Sequence, residues 1–190
     1  MAHRKTTSED ILNEAEALFR QKGYRNTTMA DIAKATGLLK GSLYYYYPSK
    51  EELASAILSR VQSGVGGHIM GIAHDEDRPA AERLRAMMEA TRDYFLQTRG
   101  CLMAILGLES ADTPMEFTAG IQSYFREWAG ALAHVLQDRY APEEAQNRAE
   151  DAVVWVEGAL LWLRICGEEA PFLRACEETA QLLEKPAAAS

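Results

Sequence analysis

The residues of this chain best suited to chemistry lie together in one short stretch. They are Lys40, Gly41 and Ser42, then Tyr44, Tyr45, Tyr46 and Tyr47 in succession, then Pro48, Ser49 and Lys50. Successive helical residues point about 100° apart, so four consecutive tyrosines on a short helix cannot all face inward. Some are exposed. Exposed hydroxyls beside lysine suit a phosphate backbone, because both donate to phosphate oxygens, and Gly41 lets a backbone come close. From the tyrosines alone, a core helix with one solvated lysine explains the run equally well.

Other chemistries have no pattern to support them. His3, His68, His74 and His134 are scattered, and none stands three or four residues from another histidine or a cysteine, so no metal site is expected. Serines, cysteines and histidines form no motif of nucleophilic catalysis, and there is no nucleotide-binding glycine loop. Neither an enzyme nor a cofactor is expected. Cys101, Cys166 and Cys176 are odd in number and unpaired in spacing, which suits a reducing cytoplasm. No apolar run reaches the roughly 18 residues of a membrane span, and neither a span nor a secretory signal is expected.

The chain has 190 residues, of which 47% are hydrophobic and 25% charged, as in an ordinary globular protein. Its net charge of −8 speaks against a nucleic-acid binder only as an average. Residues 1–50 carry eight Lys and Arg against five Asp and Glu, for +3, and residues 51–190 carry twelve against twenty-three, for −11. The N-terminal part is therefore the phosphate-facing candidate.

The elements that must position this stretch are helices. Ser8 reads as an N-cap, with Ile11, Leu12, Ala15, Leu18 and Phe19 on one face and Gly23 as the stop. Arg4 and Lys5 precede it as a short basic arm. Thr27 and Thr28 cap the next helix, where Met29, Ile32 and Ala33 form a stripe, and Gly37 ends it in a left-handed conformation. Leu39 and Leu43 begin the helix that carries the tyrosines. A cap at Ser49 opens a further helix, in which Lys50 opposes the helix dipole, a mismatch that favours a phosphate contact. Glycines 64, 66 and 67 weaken it. Helices are then expected from Pro79 to about Gly100, over 115–140, from Pro142 to about Cys166, and over 172–183, with a short apolar segment at 101–108 and a break at 111–114. The tail from Pro186 is loose in composition.

The helix after Pro142 is apolar on two adjacent stripes, broken only by Glu157, and needs cover on most sides. A second copy of the chain is the economical cover, and Gly158 allows two helices to approach closely. The expected dimer contacts are Trp155, Gly158, Leu160 and Trp162. Met88, Tyr94, Met103, Phe117, Tyr124, Trp128, Trp155 and Trp162 make an apolar, aromatic set of the kind that lines small-molecule pockets, and plain core explains each of them singly.

Over residues 8–57 the chain resembles the TetR family, the tetracycline-repressor-like transcription regulators. Ile11, Ala15, Leu18, Phe19, Gly23, Tyr24, Thr27, Thr28, Ile32, Ala33, Gly37, Gly41, Leu43, Tyr44, Tyr46, Pro48, Lys50 and Leu53 carry the resemblance. Tyr47 departs from it, where phenylalanine is usual, and so does Leu39, where a small polar residue is common. The resemblance implies an all-α protein of about nine helices. An N-terminal three-helix helix-turn-helix DNA-binding domain, 1–48, would precede a helical ligand-binding and dimerisation bundle, 49–190. It implies DNA contacts by Thr27, Thr28, Lys40, Gly41, Ser42, Tyr44, Tyr45, Tyr46 and Lys50, with Thr28 both capping and touching phosphate. It further implies a homodimer on a palindromic operator, released by a small-molecule effector. Cys101 stands in a Gly-Cys-Leu context similar to that of family members that sense electrophiles, with Arg99 near enough in sequence to lower its pKa.

Overall fold

The computed structural model describes residues 6–110 and 115–184. Arg4 and Lys5, the break expected at 111–114 and the tail from Pro186 lie outside the described residues. Every regular element among the described residues is helical. The chain forms two compact units, residues 1–61 with 102–121, and residues 62–101 with 122–190.

The first unit holds α1 (Ser8–Lys22), α2 (Met29–Thr36), α3 (Lys40–Tyr46), α4 (Lys50–Val61) and α7 (Leu102–Ser110). The cap of α1 is Thr7 rather than Ser8. Only Thr7 has an acidic residue three positions on, and the pair bonds reciprocally: Asp10 N–H donates to Thr7 Oγ1 at 3.2 Å, and Thr7 N–H donates to the Asp10 carboxylate at 2.8 Å. Thr28 and Asp31 repeat this box at the start of α2, at 3.1 and 2.9 Å. Gly37 ends α2 with φ 68° and ψ 16°, the left-handed conformation that costs glycine nothing. Leu38 N–H then closes back on Ala33 C=O at 2.9 Å. Ile11, Phe19, Ile32, Leu43, Leu53 and Ile57 are wholly buried and meet as one core. The packing unit runs past residue 48 because the apolar face of α4 lies on α1, where the Arg60 guanidinium donates to Glu16 at 2.6 Å and to Asn13 at 2.8 Å.

A π turn over Gln62–Gly66 follows α4 directly and leads into α5 (Gly67–Ile72). It falls where glycines weaken the α pattern. With α4, the π turn and α5 counted as one run, the described residues hold nine helices.

The second unit contains α5, α6 (Ala80–Thr98), most of α8 (Thr118–Leu136), α9 (Pro142–Cys166) and α10 (Ala170–Ala180), with α10 packed on both α6 and α9. The ends of α8 fall inside the expected 115–140. Tyr140 instead donates its hydroxyl to Leu182 C=O at 2.8 Å. Leu84, Met87, Phe95, Trp128, Leu132, Val135, Leu136 and Phe172 fill the interior. No helix among the described residues is long and apolar enough to cross a membrane.

Candidate nucleic-acid interface

One side chain fixes the orientation of α3. Leu43 is wholly buried, so the residues about 100° and 200° around the helix from it face outward. Lys40, Gly41, Ser42, Tyr44 and Tyr45 are all exposed. Tyr45 is 87% exposed, and the Lys40 ammonium stands 5.8 Å from the Tyr44 ring centroid. These donors present one lysine, one serine and two phenols from a rigid helix held by a buried leucine. That arrangement suits a polyanion with a groove.

Three of the expected contacts also make hydrogen bonds within the protein. Thr27 is wholly buried, and its hydroxyl donates to Gly23 C=O at 2.7 Å, which satisfies the carbonyl at the end of α1. Either threonine could cap from the sequence; the loop turns Thr27 inward and leaves Thr28 exposed at the start of α2. Tyr46 is half-buried, with its hydroxyl directed at Thr6 C=O, 3.4 Å away. Tyr47, also half-buried, meets the Ser8 hydroxyl at 2.7 Å. The two tyrosines fasten the end of α3 to the start of α1.

Lys50 is the third. Its ammonium donates to Tyr24 C=O and Thr27 C=O, each at 2.9 Å, and sits 4.1 Å from the Tyr24 ring centroid. The mismatch with the dipole of α4 is resolved within the protein, by two loop carbonyls and an aromatic face. Tyr24 in turn donates its hydroxyl to Glu51 at 2.7 Å. Burial, with Glu51 beside it, pushes the Tyr24 phenol above its ordinary range, and the same hydrogen bond lowers the Glu51 carboxyl.

The α1–α2 loop is also held from α7. The Glu109 carboxylate accepts Tyr24 N–H at 2.8 Å and Arg25 N–H at 2.6 Å, and Arg25 donates back to Glu109 C=O at 2.8 Å. Gly23 makes room for it: a Cβ there would collide with Glu109 Oε1. Sequence reasoning missed Glu109, which lies 84 residues from the loop it grips.

In the second unit, Tyr124 and Trp128 are buried with ring centroids 6.3 Å apart, and Phe95 and Phe172 continue the cluster. Met88 is buried there and Tyr94 half-buried, whereas Met103 and Phe117 belong to the first unit, where Phe117 packs edge-on against Tyr24. Thr91 Oγ1, Trp128 Nε1, Glu157 Oε1 and Thr179 Oγ1 are buried polar atoms of the second unit without a hydrogen-bond partner. Burial pushes the Glu157 carboxyl up to about 7, against an opposing hydrogen bond from Cys101. Arg99, expected to act on Cys101, reaches toward Glu169 instead, at 3.7 Å. His74 and His134, far apart in sequence, stack with ring centroids 4.6 Å apart, and the described residues hold no metal-binding cluster.

On α9, Val154, Trp155, Gly158, Leu161, Trp162 and Ile165 are exposed on one face. Their spacing of i, i+1, i+4, i+7, i+8 and i+11 is a continuous helical stripe. Leu160, expected in that stripe, is 2% exposed and belongs to the core of the protomer. Trp155 and Trp162 are 44% and 49% exposed, so they stand on the free stripe and not inside a pocket.

The family "Bacterial regulatory proteins, tetR family" matches residues 11–57, across α1 to α4. "Transcriptional regulator LmrA/YxaF-like, C-terminal domain" matches residues 80–178, more than half of the chain. This chain belongs to the TetR family. The uncharacterized HTH-type transcriptional regulator YxaF of Bacillus subtilis is 27% identical over 190 residues, covering 97% of this chain and 99% of that one. The transcriptional repressor NemR of Escherichia coli is 23% identical, covering 95% and 96%. In fold, the chain matches a TetR transcriptional regulator from Legionella pneumophila with a TM-score of 0.81, at 24% identity and with 94% and 98% covered.

As a TetR-family transcription regulator, the chain carries its helix-turn-helix within the matched residues 11–57, where α2, the Gly37 turn and α3 follow one another. Thr27, Tyr46 and Lys50 each make hydrogen bonds within the first unit. Lys40, Gly41, Ser42, Tyr44 and Tyr45 are the exposed residues of α3.

Proposed function

We propose that this TetR-family regulator is a repressor that binds a near-palindromic operator as a homodimer and releases it when a small-molecule effector binds. Residues 1–48 carry the DNA contacts, made by Thr28, Lys40, Gly41, Ser42, Tyr44 and Tyr45. Residues 49–190 dimerise and sense the effector. The observation that carries this reading is the outward face of α3, whose lysine, serine and tyrosines have no packing duty while Leu43 anchors the helix from behind.

The dimer rests on the exposed stripe of α9. Val154 and Ile165 are 72% and 73% exposed, and covering them with the same stripe of a second copy removes apolar area from water on both sides. Gly158, with nothing within 4 Å of where a Cβ would be, lies at the centre of the stripe and permits a close crossing. The effector role is supported by the Tyr124, Trp128 and Met88 interior together with the unpartnered Thr91, Trp128 and Thr179 groups, since a bound ligand's polar atoms would satisfy them. Repression is the role of the relative NemR, a transcriptional repressor, carried over to this chain.

The test is binding of the purified protein to duplexes selected from a random-sequence pool, followed by a salt titration. The selected site is expected to be a near-palindrome, with affinity falling steeply as salt rises. An absence of sequence preference at any salt would refute the operator reading.

A further inference from the structure

Tyr45 and Leu39, at 87% and 80%, are the two most exposed large apolar side chains among the described residues. Both belong to α3 or its N-cap. Tyr45 has a hydroxyl that can donate to a phosphate or a base edge. Leu39 has no such group, and nothing in the protomer gives it a role. It occupies the N-cap position of α3, with φ −67° and ψ 144°, where a side chain with an oxygen would bond the free N–H groups of the first turn. No side-chain cap is made. The neighbouring leucine does the packing: Leu38 is half-buried, with its N–H on Ala33 C=O, and Leu39 is left pointing to solvent. Leu39 thus forgoes the cap bond that Ser, Thr, Asn or Asp would make here, and it gains no burial in return.

In the major groove, the base edges offer donors, acceptors and one apolar group, the C5-methyl of thymine. Residues at the N-terminal end of a recognition helix are the ones that approach base edges. Lys40, next to Leu39, and Ser42, one turn on, are both exposed and offer polar groups beside it. We propose that Leu39 is a specificity-determining residue that reads a thymine in each operator half-site through its C5-methyl group. This rests on α3 being the helix that enters the groove. A leucine excludes water from the methyl and leaves cytosine with an unpaired amino group, and a purine with an unpaired N7, against an apolar side chain.

The experiment uses the full chain and the operator recovered by selection, with each thymine in turn replaced by deoxyuridine, which lacks only the methyl group. One position per half-site is expected to weaken wild-type binding about fourfold, the effect of withdrawing one buried methyl from apolar contact. Leu39→Ala binds the thymine operator more weakly, melts at the wild-type temperature because the side chain is exposed, and is indifferent to deoxyuridine at that position. Leu39→Met retains the sensitivity. The proposal is overturned if wild type is insensitive at every thymine, or if Leu39→Ala keeps the wild-type profile, in which case another residue or another partner uses this leucine. Failure to recover any operator removes the α3 reading itself, so the two failures are told apart.

Discussion

The Lys50 ammonium joins the Glu109 carboxylate in holding the loop between α1 and α2. Lys50 donates to two carbonyls, those of Tyr24 and Thr27, of which the first also accepts Thr27 N–H at 3.2 Å. Hydrogen bonds to a charged group contribute about 1.5–3 kcal/mol each, and Lys50 is only half-buried, so the lower end of that range applies. Lys50→Met is expected to lower stability by about 1–3 kcal/mol in urea unfolding. An unchanged midpoint, with a salt slope for DNA reduced by about one phosphate, would return Lys50 to the phosphate contact that its charge first suggests. Glu157 makes a second prediction at this scale. Its folded-state pKa of about 7 lies above the ordinary carboxylate value, chiefly through burial. The folded protein then holds this proton more tightly than the unfolded chain does. The stability it contributes is full below about pH 4.3 and is lost as pH rises toward 7. Wild type is expected to lose melting temperature between pH 5 and pH 8 by more than Glu157→Gln does. Parallel pH profiles for the two proteins would show that the carboxyl is not buried.

Among the elements, the stops and starts of helices were legible because their causes are local. Gly37, Gly23 and the Thr28 cap depend only on backbone conformation and on side chains within three residues. What could not be read was which of two neighbours faces inward. Thr27 and Thr28 are chemically alike, and the choice between them depends on a carbonyl of Gly23 that only the folded loop brings within reach. Leu160 posed the same difficulty on α9: a helix apolar on two stripes carries no polar marker to say which stripe meets the core. The dipole argument at Lys50 sees charge but not the two carbonyls it meets across the loop, and the grip of Glu109 spans too much sequence for any spacing rule. The stripe that stays exposed gives the prediction for α9. Gly158→Arg has open space around it in a single chain, so the protomer should fold with an unchanged helical signal. At a close apolar crossing the same arginine would be an unpaired buried charge, costing about 3–5 kcal/mol. Light scattering is expected to show a dimeric mass for wild type and a monomeric mass for this variant; a dimeric variant would take α9 out of the interface.

At the scale of the whole molecule, charge separates along the chain, +3 over residues 1–50 against −11 over the remaining 140. The acidic part repels DNA and the basic part is drawn to it, so electrostatics alone orients the encounter. One protomer presents one α3. Two protomers related by a two-fold axis present two, and each reads half of a palindrome. The central claim is this pairing of recognition helices on one duplex, and hydroxyl-radical footprinting of the selected operator tests it most directly. The account predicts two protected segments related by symmetry, with centres roughly 34–36 Å apart, about one turn of DNA or a whole multiple of it. A single protected segment, saturated by one chain per duplex, would contradict it.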